Sequence, residues 1–170
     1  MSWFSRTIVA LAVSMAGTAP AFADQVSGVI TRTFMIVEDT DLIGNVTCSV
    51  ASGTPCFAFG APNIEFRLNG FSITGAGDAV TGCGGALTGG EAGITTNAMA
   101  RVGVRGPGLV QRFRGDGVTV IGSIDARVEN VTVSTNCMSG IRVVGTWFGT
   151  LVQGNTAIRN GSTAAPCGGI

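Results

Sequence analysis

Carboxylates and a guanidinium group in the middle of the chain are the residues best suited to chemistry. Asp116, Asp125 and Glu129 lie within one short stretch, and Arg127 stands among them. Two carboxylates held about 5 to 9 Å apart can act as general acid and general base on a glycosidic bond. These four residues are therefore the catalytic candidates. The simpler interpretation, which we prefer, is a solvated surface pair between an outward Glu129 and nearby arginines.

Further side chains of the same region are candidates for binding. A guanidinium group forms bidentate hydrogen bonds to a carboxylate such as that of a sugar acid. The arginines that would do so are Arg112, Arg114 and Arg142. Trp147 and Phe148 are suited to stacking against a sugar ring. Because Trp147 aligns with Ile124 one repeat earlier, a core position is the interpretation that we favour for it.

The composition excludes several chemistries. All ten cationic residues are arginine, so the chain has neither lysine nor histidine. It therefore has no phosphate-binding Walker loop, no Schiff-base lysine, no Ser-His-Asp triad and no histidine-ligated zinc. Ten acidic residues balance the arginines, which argues against a nucleic-acid partner. We expect no cofactor and no metal site; calcium at the acidic run 38–41 has carboxylate ligands in its favour, but a polar turn is the simpler interpretation.

The first 23 residues have the pattern of a secretory signal peptide. Arg6 is followed by an apolar stretch at 7–17, and Ala21-Phe22-Ala23 is a small-residue cleavage site. No later stretch is long and apolar enough to span a bilayer. We therefore expect a secreted or periplasmic protein without a membrane span.

Export permits disulfide bonds. Cys48 and Cys56 lie eight residues apart around a Ser-Gly-Thr-Pro turn and are the favoured pair. The pairing of Cys83, Cys137 and Cys167 stays open, and one of the five cysteines must remain unpaired in a monomer.

A repeat predicts the elements that position all these residues. Short alternating runs start at glycine followed by valine or isoleucine, at Gly93, Gly117, Gly140 and Gly169, with intervals of 24, 23 and 29 residues. Asn136 and Asn160 close two of the strands. A period in the low twenties without a helical pattern predicts a parallel solenoid, in which Val118 stacks on Ile141, glycine takes positive φ at the corners and asparagines stack. A sandwich of antiparallel hairpins explains the alternation but not the interval.

Three segments resemble secreted right-handed parallel β-helix proteins of the pectin-lyase-like type. The segment 63–75 resembles their opening coil, 102–110 with Phe113 resembles the next one, and 42–48 resembles the strand that leads in. The resemblance implies an all-β, single-stranded solenoid of about five coils, truncated at its C-terminus. Lead-in strands would occupy 24–56 and coils 57–170, with an insertion at 76–92. Such insertions often shape the binding groove in this family, although a tolerated surface loop is the simpler interpretation.

The resemblance also suggests a substrate class, because enzymes of this family act mostly on acidic polysaccharides. Its hydrolase branch uses Gly-His-Gly and Arg-x-Lys motifs, which a chain without histidine and lysine cannot contain. We expect an extracellular polysaccharide-binding or structural module. The first alternative is a polysaccharide lyase that uses the four catalytic candidates. The second is an adhesin-like module that self-associates end to end through an uncapped last coil.

Overall fold

The described part of the chain consists of strands and turns. The structure, a computed structural model, describes residues 23–84, 90–162 and 169–170. These residues form fifteen strands and no helix. The strands are β1 (Asp24–Ile30), β2 (Phe34–Ile36), β3 (Thr40–Cys48), β4 (Phe57–Phe59), β5 (Glu65–Arg67), β6 (Ser72–Thr74), β7 (Ala92–Thr95), β8 (Gly103–Arg105), β9 (Leu109–Gln111), β10 (Asp116–Ile121), β11 (Arg127–Glu129), β12 (Thr132–Ser134), β13 (Ile141–Val144), β14 (Leu151–Gln153) and β15 (Thr156–Ile158). Almost all of the expected signal peptide, the centre of the insertion and Cys167 lie outside the described residues.

The strands form two sheets that curl into a half-barrel. One sheet has the order β13-β10-β7-β4-β2. In the other, β3 lies between two arms: arm A is β5, β8, β11 and β14, and arm B is β6, β9, β12 and β15. From β4 onward, each strand pairs with the strand three positions later in the chain, and the pairs in the described residues are parallel. The antiparallel sandwich is therefore excluded for this part of the chain.

The predicted stacking of aliphatic side chains is confirmed. Val118 pairs in register with Ile141 on one side and with Ile94 on the other, and all three are buried. The two sheets meet through their inward side chains: the rings of Phe57 and Phe66 lie 4.7 Å apart between centroids. The core is thus a column of apolar layers, each built from strands of both sheets.

Buried asparagines connect neighbouring layers at the corner after β12. Asn136 is fully buried, and its Oδ1 accepts a hydrogen bond from the Phe113 backbone N–H at 3.1 Å. Its Nδ2 donates to Val110 O at 3.3 Å and to Asn160 Oδ1 at 2.9 Å. Asn160 repeats the pattern by donating to Val133 O. The amides therefore satisfy backbone groups that the strand ladder leaves without partners.

The glycines that open the repeat have a different role from the one expected. The repeat predicts positive φ at such positions, but Gly93, Gly117 and Gly140 do not have it. Gly117 is needed for close approach instead: a Cβ there would lie 2.6 Å from Gly140 O and 2.7 Å from Asn136 Nδ2. Glycine at this position lets adjacent backbones stack at strand spacing.

Two disulfide bonds tie loops to the strands. Cys48, at the end of β3, is joined to Cys56, the pair that the sequence favours. Cys83, in the predicted insertion, is joined to Cys137. Two such bonds weakly fit an extracellular location. Over the part of the chain that the structure describes, no helix has the length and apolarity needed to cross a membrane.

Candidate functional site

Arm A carries a ladder of ion pairs on its outer face. Arg67, Arg105 and Glu129 occupy one register position on β5, β8 and β11. Arg105 Nε donates to Glu65 Oε1 at 2.7 Å, and its Nη1 lies 2.9 Å from Glu129 Oε2. The hydrogen bond to Glu65 raises the pKa of Arg105. Glu129, whose side chain is only 17% exposed, is therefore a counter-ion of Arg105.

The acidic run at 38–41 belongs to the same ladder. Arg67 Nε donates to Asp41 Oδ1 at 2.7 Å, and Arg67 Nη1 lies 3.3 Å from Asp39 Oδ2. The hydrogen bond from Arg67 lowers the pKa of Asp41. Two of the oxygens that calcium would need thus already bind a guanidinium group. The described residues contain no group of three or more histidine, cysteine, aspartate or glutamate side chains able to hold a metal ion.

A cleft of about 430 Å³ opens beside this ladder. We call it the Arg127 cleft; it is lined by Glu65, Arg101, Val102, Gly103, Arg105, Asp125 and Arg127. Glu65, Gly103 and Arg127 share one register position on β5, β8 and β11, so the glycine leaves a gap between two charged side chains. Arg127 is exposed and forms no ion pair within the described residues.

A second cleft, of about 450 Å³, lies on the five-stranded sheet. We call it the Asp116 cleft. Asp116 is buried there, and its Oδ2 accepts hydrogen bonds from Arg142 Nε at 2.8 Å and Thr119 Oγ1 at 3.1 Å. Its Oδ1 accepts the Ser139 backbone N–H at 3.0 Å. The carboxylate is held in one position by three donors.

Glu91 places a second buried carboxylate in the Asp116 cleft. Its oxygens accept Arg114 Nε at 3.0 Å, and Arg114 Nη2 lies 2.8 Å from Oε2. Ala92 pairs in register with Asp116, so the two acidic residues lie on neighbouring strands. Each carboxylate has its own guanidinium partner. Glu91 is not among the residues predicted from the sequence, because it follows the insertion and has no equivalent in the repeat.

The structure divides the predicted site residues between the two sheets. Asp116 and Arg142 line the Asp116 cleft, whereas Asp125 and Arg127 line the Arg127 cleft. The four catalytic candidates therefore do not form one constellation. Arg112 belongs to neither cleft, since its Nε donates to Gly77 O at 3.0 Å within the insertion contact.

The expected core position of Trp147 is wrong. Trp147 is 72% exposed and Phe148 is 78% exposed. The alignment with Ile124 misled because Ile124 is itself exposed, in a turn between strands. The Phe148 carbonyl accepts the backbone N–H of Asp125 at 2.9 Å. The exposed aromatic pair thus lies on the layer next to Asp125, which lines the Arg127 cleft.

Two clefts of different character therefore define the candidate surface. The Asp116 cleft contains carboxylates that are already paired, and the Arg127 cleft contains a guanidinium group that is not. The chain matches no protein-family model, and it shows no significant similarity to a curated protein or to a solved structure.

Proposed function

We propose that the chain is a right-handed parallel β-helix of about five coils, and that it is an exported module whose Asp116 cleft binds the hydroxyl groups of a polysaccharide. The step of three strands between sheet neighbours supports the helix, because each turn of a three-sided coil contributes one strand to each side. The register of 23 and 24 residues around Val118 supports a constant coil length. The handedness follows the resemblance to pectin-lyase-like proteins and the general preference of parallel crossovers.

The hydrogen-bonding groups of the Asp116 cleft favour a hydroxylated ligand. The carboxylates of Asp116 and Glu91 only accept hydrogen bonds, and the guanidinium group of Arg142 only donates them. A ligand that satisfies both must donate and accept within a short distance. Hydroxyl groups do so, whereas a carboxylate cannot donate and an ammonium group cannot accept.

The charges of the cleft favour an uncharged ligand. Arg142 neutralises Asp116, and Arg114 neutralises Glu91. An added anion would meet two buried carboxylates at close range, where repulsion is only weakly screened. We therefore infer a neutral sugar residue in this cleft.

The remaining lining suits the apolar face of a sugar ring. Pro55, Ala92, Ile121 and Met138 contribute carbon atoms to the cleft. A cavity of about 450 Å³ lies within the range of roughly 300 to 1,000 Å³ typical of small-ligand sites. It has room for a short oligosaccharide segment.

One observation carries the proposal. Thr95 and Asn97 line the cleft, and their side chains make no hydrogen bond to any residue that the structure describes. Arg142 likewise uses only its Nε on Asp116, which leaves both Nη groups for a ligand. These spare groups surround the paired carboxylates and supply the contacts that a glycan would occupy.

Affinity electrophoresis through gels that contain neutral or uronate polysaccharides tests the proposal. We expect retardation by at least one neutral polysaccharide. Thr95→Val should weaken it about fivefold, since one hydrogen bond contributes about 1 kcal/mol. Thr156→Val, an exposed threonine on β15, is the matched control and should leave binding unchanged.

Three results would contradict the proposed function. No neutral polysaccharide retards the protein, or Thr156→Val weakens binding as much as Thr95→Val, or the protein cleaves uronate polymers to unsaturated products. The last result would favour the lyase alternative.

A further inference from the structure

The Arg127 cleft holds guanidinium groups that lack carboxylate partners. Within the described residues the arginines in ion pairs are Arg67, Arg105, Arg114 and Arg142. Arg127 forms none, and Arg101 Nε donates only to the amide oxygen of Asn63. Both unpaired groups line the same cleft. We propose that this cleft is a second binding site, separate from the Asp116 cleft, for a carboxylate-bearing sugar residue of an acidic polysaccharide.

The carboxylates near Arg127 are turned to other partners. Glu65 binds Arg105 at 2.7 Å and lies 3.5 Å from Arg67. The Oδ1 of Asp125 fills the space where a Cβ of Gly149 would lie, so this carboxylate packs against the 145–150 turn. The lining contains three arginines and two carboxylates. An arriving carboxylate therefore finds two guanidinium groups with free donors.

Gly103 supplies the space for that carboxylate. Its neighbours in register, Glu65 and Arg127, both carry long charged side chains. A Cβ at Gly103 would lie 3.5 Å from Glu65 Cγ, which is ordinary van der Waals contact. Its φ is not in the left-handed region. Neither backbone conformation nor local crowding requires glycine here, so its lack of a side chain serves to keep the cleft open.

The exposed aromatic pair favours a sugar as the carrier of the carboxylate. The turn that contains Trp147 and Phe148 leads into β14, whose Leu151 pairs in register with Arg127. Phe148 is also bonded through its carbonyl to Asp125. A sugar ring has an apolar C–H face that packs on an aromatic ring, while its carboxylate reaches the guanidinium groups. A uronic acid residue combines both features.

A titration of the full chain with oligogalacturonate, followed by tryptophan fluorescence, tests this site. Trp147 is one of only two tryptophans, the other being Trp3, so a signal lost in Trp147→Phe arises at the proposed site. We expect Arg127→Gln to weaken binding about tenfold or more, as loss of a charge-assisted hydrogen bond of roughly 1.5 to 3 kcal/mol implies. Arg159→Gln removes an equally exposed arginine outside both clefts and should leave affinity within twofold.

Gly103→Val keeps the proposal falsifiable without removing a charge. Valine is favoured in strands and meets no close contact there, so the fold should be retained while the cleft is filled. We expect unchanged circular dichroism and binding weakened at least tenfold. Unchanged affinity in this variant would overturn the proposal.

The choice of probe tests the chemistry. Fully methyl-esterified oligogalacturonate lacks the carboxylates and should bind at least tenfold more weakly, and a sulfated neutral polysaccharide should not replace the uronate. Equal binding of the ester, binding of the sulfated polymer alone, or equal losses in Arg127→Gln and Arg159→Gln would each contradict the proposal. Thr95→Val should not change oligogalacturonate affinity, so failure here is distinct from failure at the Asp116 cleft.

Discussion

Replacing Asn136 by alanine should destabilise the protein strongly, because the buried amide of this residue bonds to both neighbouring layers. The change removes the acceptor of the Phe113 backbone N–H and the donor to Val110 O, both on buried residues. It also removes the donor to Asn160 Oδ1. No water reaches the site directly, because Asn136 is fully buried.

The expected loss follows from the number of groups left without partners. A buried polar group without a hydrogen bond costs about 1 to 3 kcal/mol. Two backbone groups lose their partner, while half-buried Asn160 can be rehydrated. We therefore expect the free energy of unfolding to fall by about 3 kcal/mol, a large fraction of the roughly 5 to 15 kcal/mol that holds a typical domain together.

Urea unfolding followed by circular dichroism measures this loss. Asn155→Ala is the matched control: Asn155 also bridges Val131 N–H and Val128 O, but it is only half-buried and water can replace it. The control should lose about 1 kcal/mol, with the slope of unfolding against urea unchanged in both variants. A loss in Asn136→Ala no larger than that in the control would refute the idea that the buried amide holds adjacent layers together.

Three further outcomes are expected. Gly117→Ala should lower the free energy of unfolding by about 2 kcal/mol, because its Cβ would lie 2.6 Å from Gly140 O; an unchanged melting temperature would contradict this. Replacing Cys83 and its disulfide partner by alanine should cost about 4 kcal/mol for a closed loop of 54 residues, and a urea midpoint that stays in place would be the contrary result. Since hydrogen bonding to Arg67 lowers the pKa of Asp41 in the folded state, the stabilisation it confers is present above pH of about 4 and is lost as the pH falls through the lowered pKa. Asp41→Asn should therefore make acid unfolding less steep, and an identical pH profile would count against it.

The regular part of the fold could be predicted from the sequence because it depends on local repetition. The recurring step at Gly117-Val118 and Gly140-Ile141 has the length of one layer, so the register between β10 and β13 follows from the interval alone. The spacing of Asn136 and Asn160 carries the same information.

The sites could be predicted only in part, because they form where the repeat is irregular. Phe57 pairs with Ile94 across 37 residues rather than 24. The ion pair of Glu65 with Arg105 therefore had no periodic signal, and neither had Glu91. The prediction for Trp147 failed for a related reason: alignment assigns a position in the repeat, but turn residues at equivalent positions need not point inward.

The central claim is that successive strands of the repeat are parallel neighbours in register, since both clefts depend on it. Cross-strand nuclear Overhauser effects measure this directly in isotope-labelled protein. We predict contacts between backbone protons of β10 and β13 around Val118 and Ile141, and equivalent contacts between Val128 and Val152. Strong Hα–Hα contacts between strands adjacent in the sequence, as in antiparallel hairpins, would contradict it.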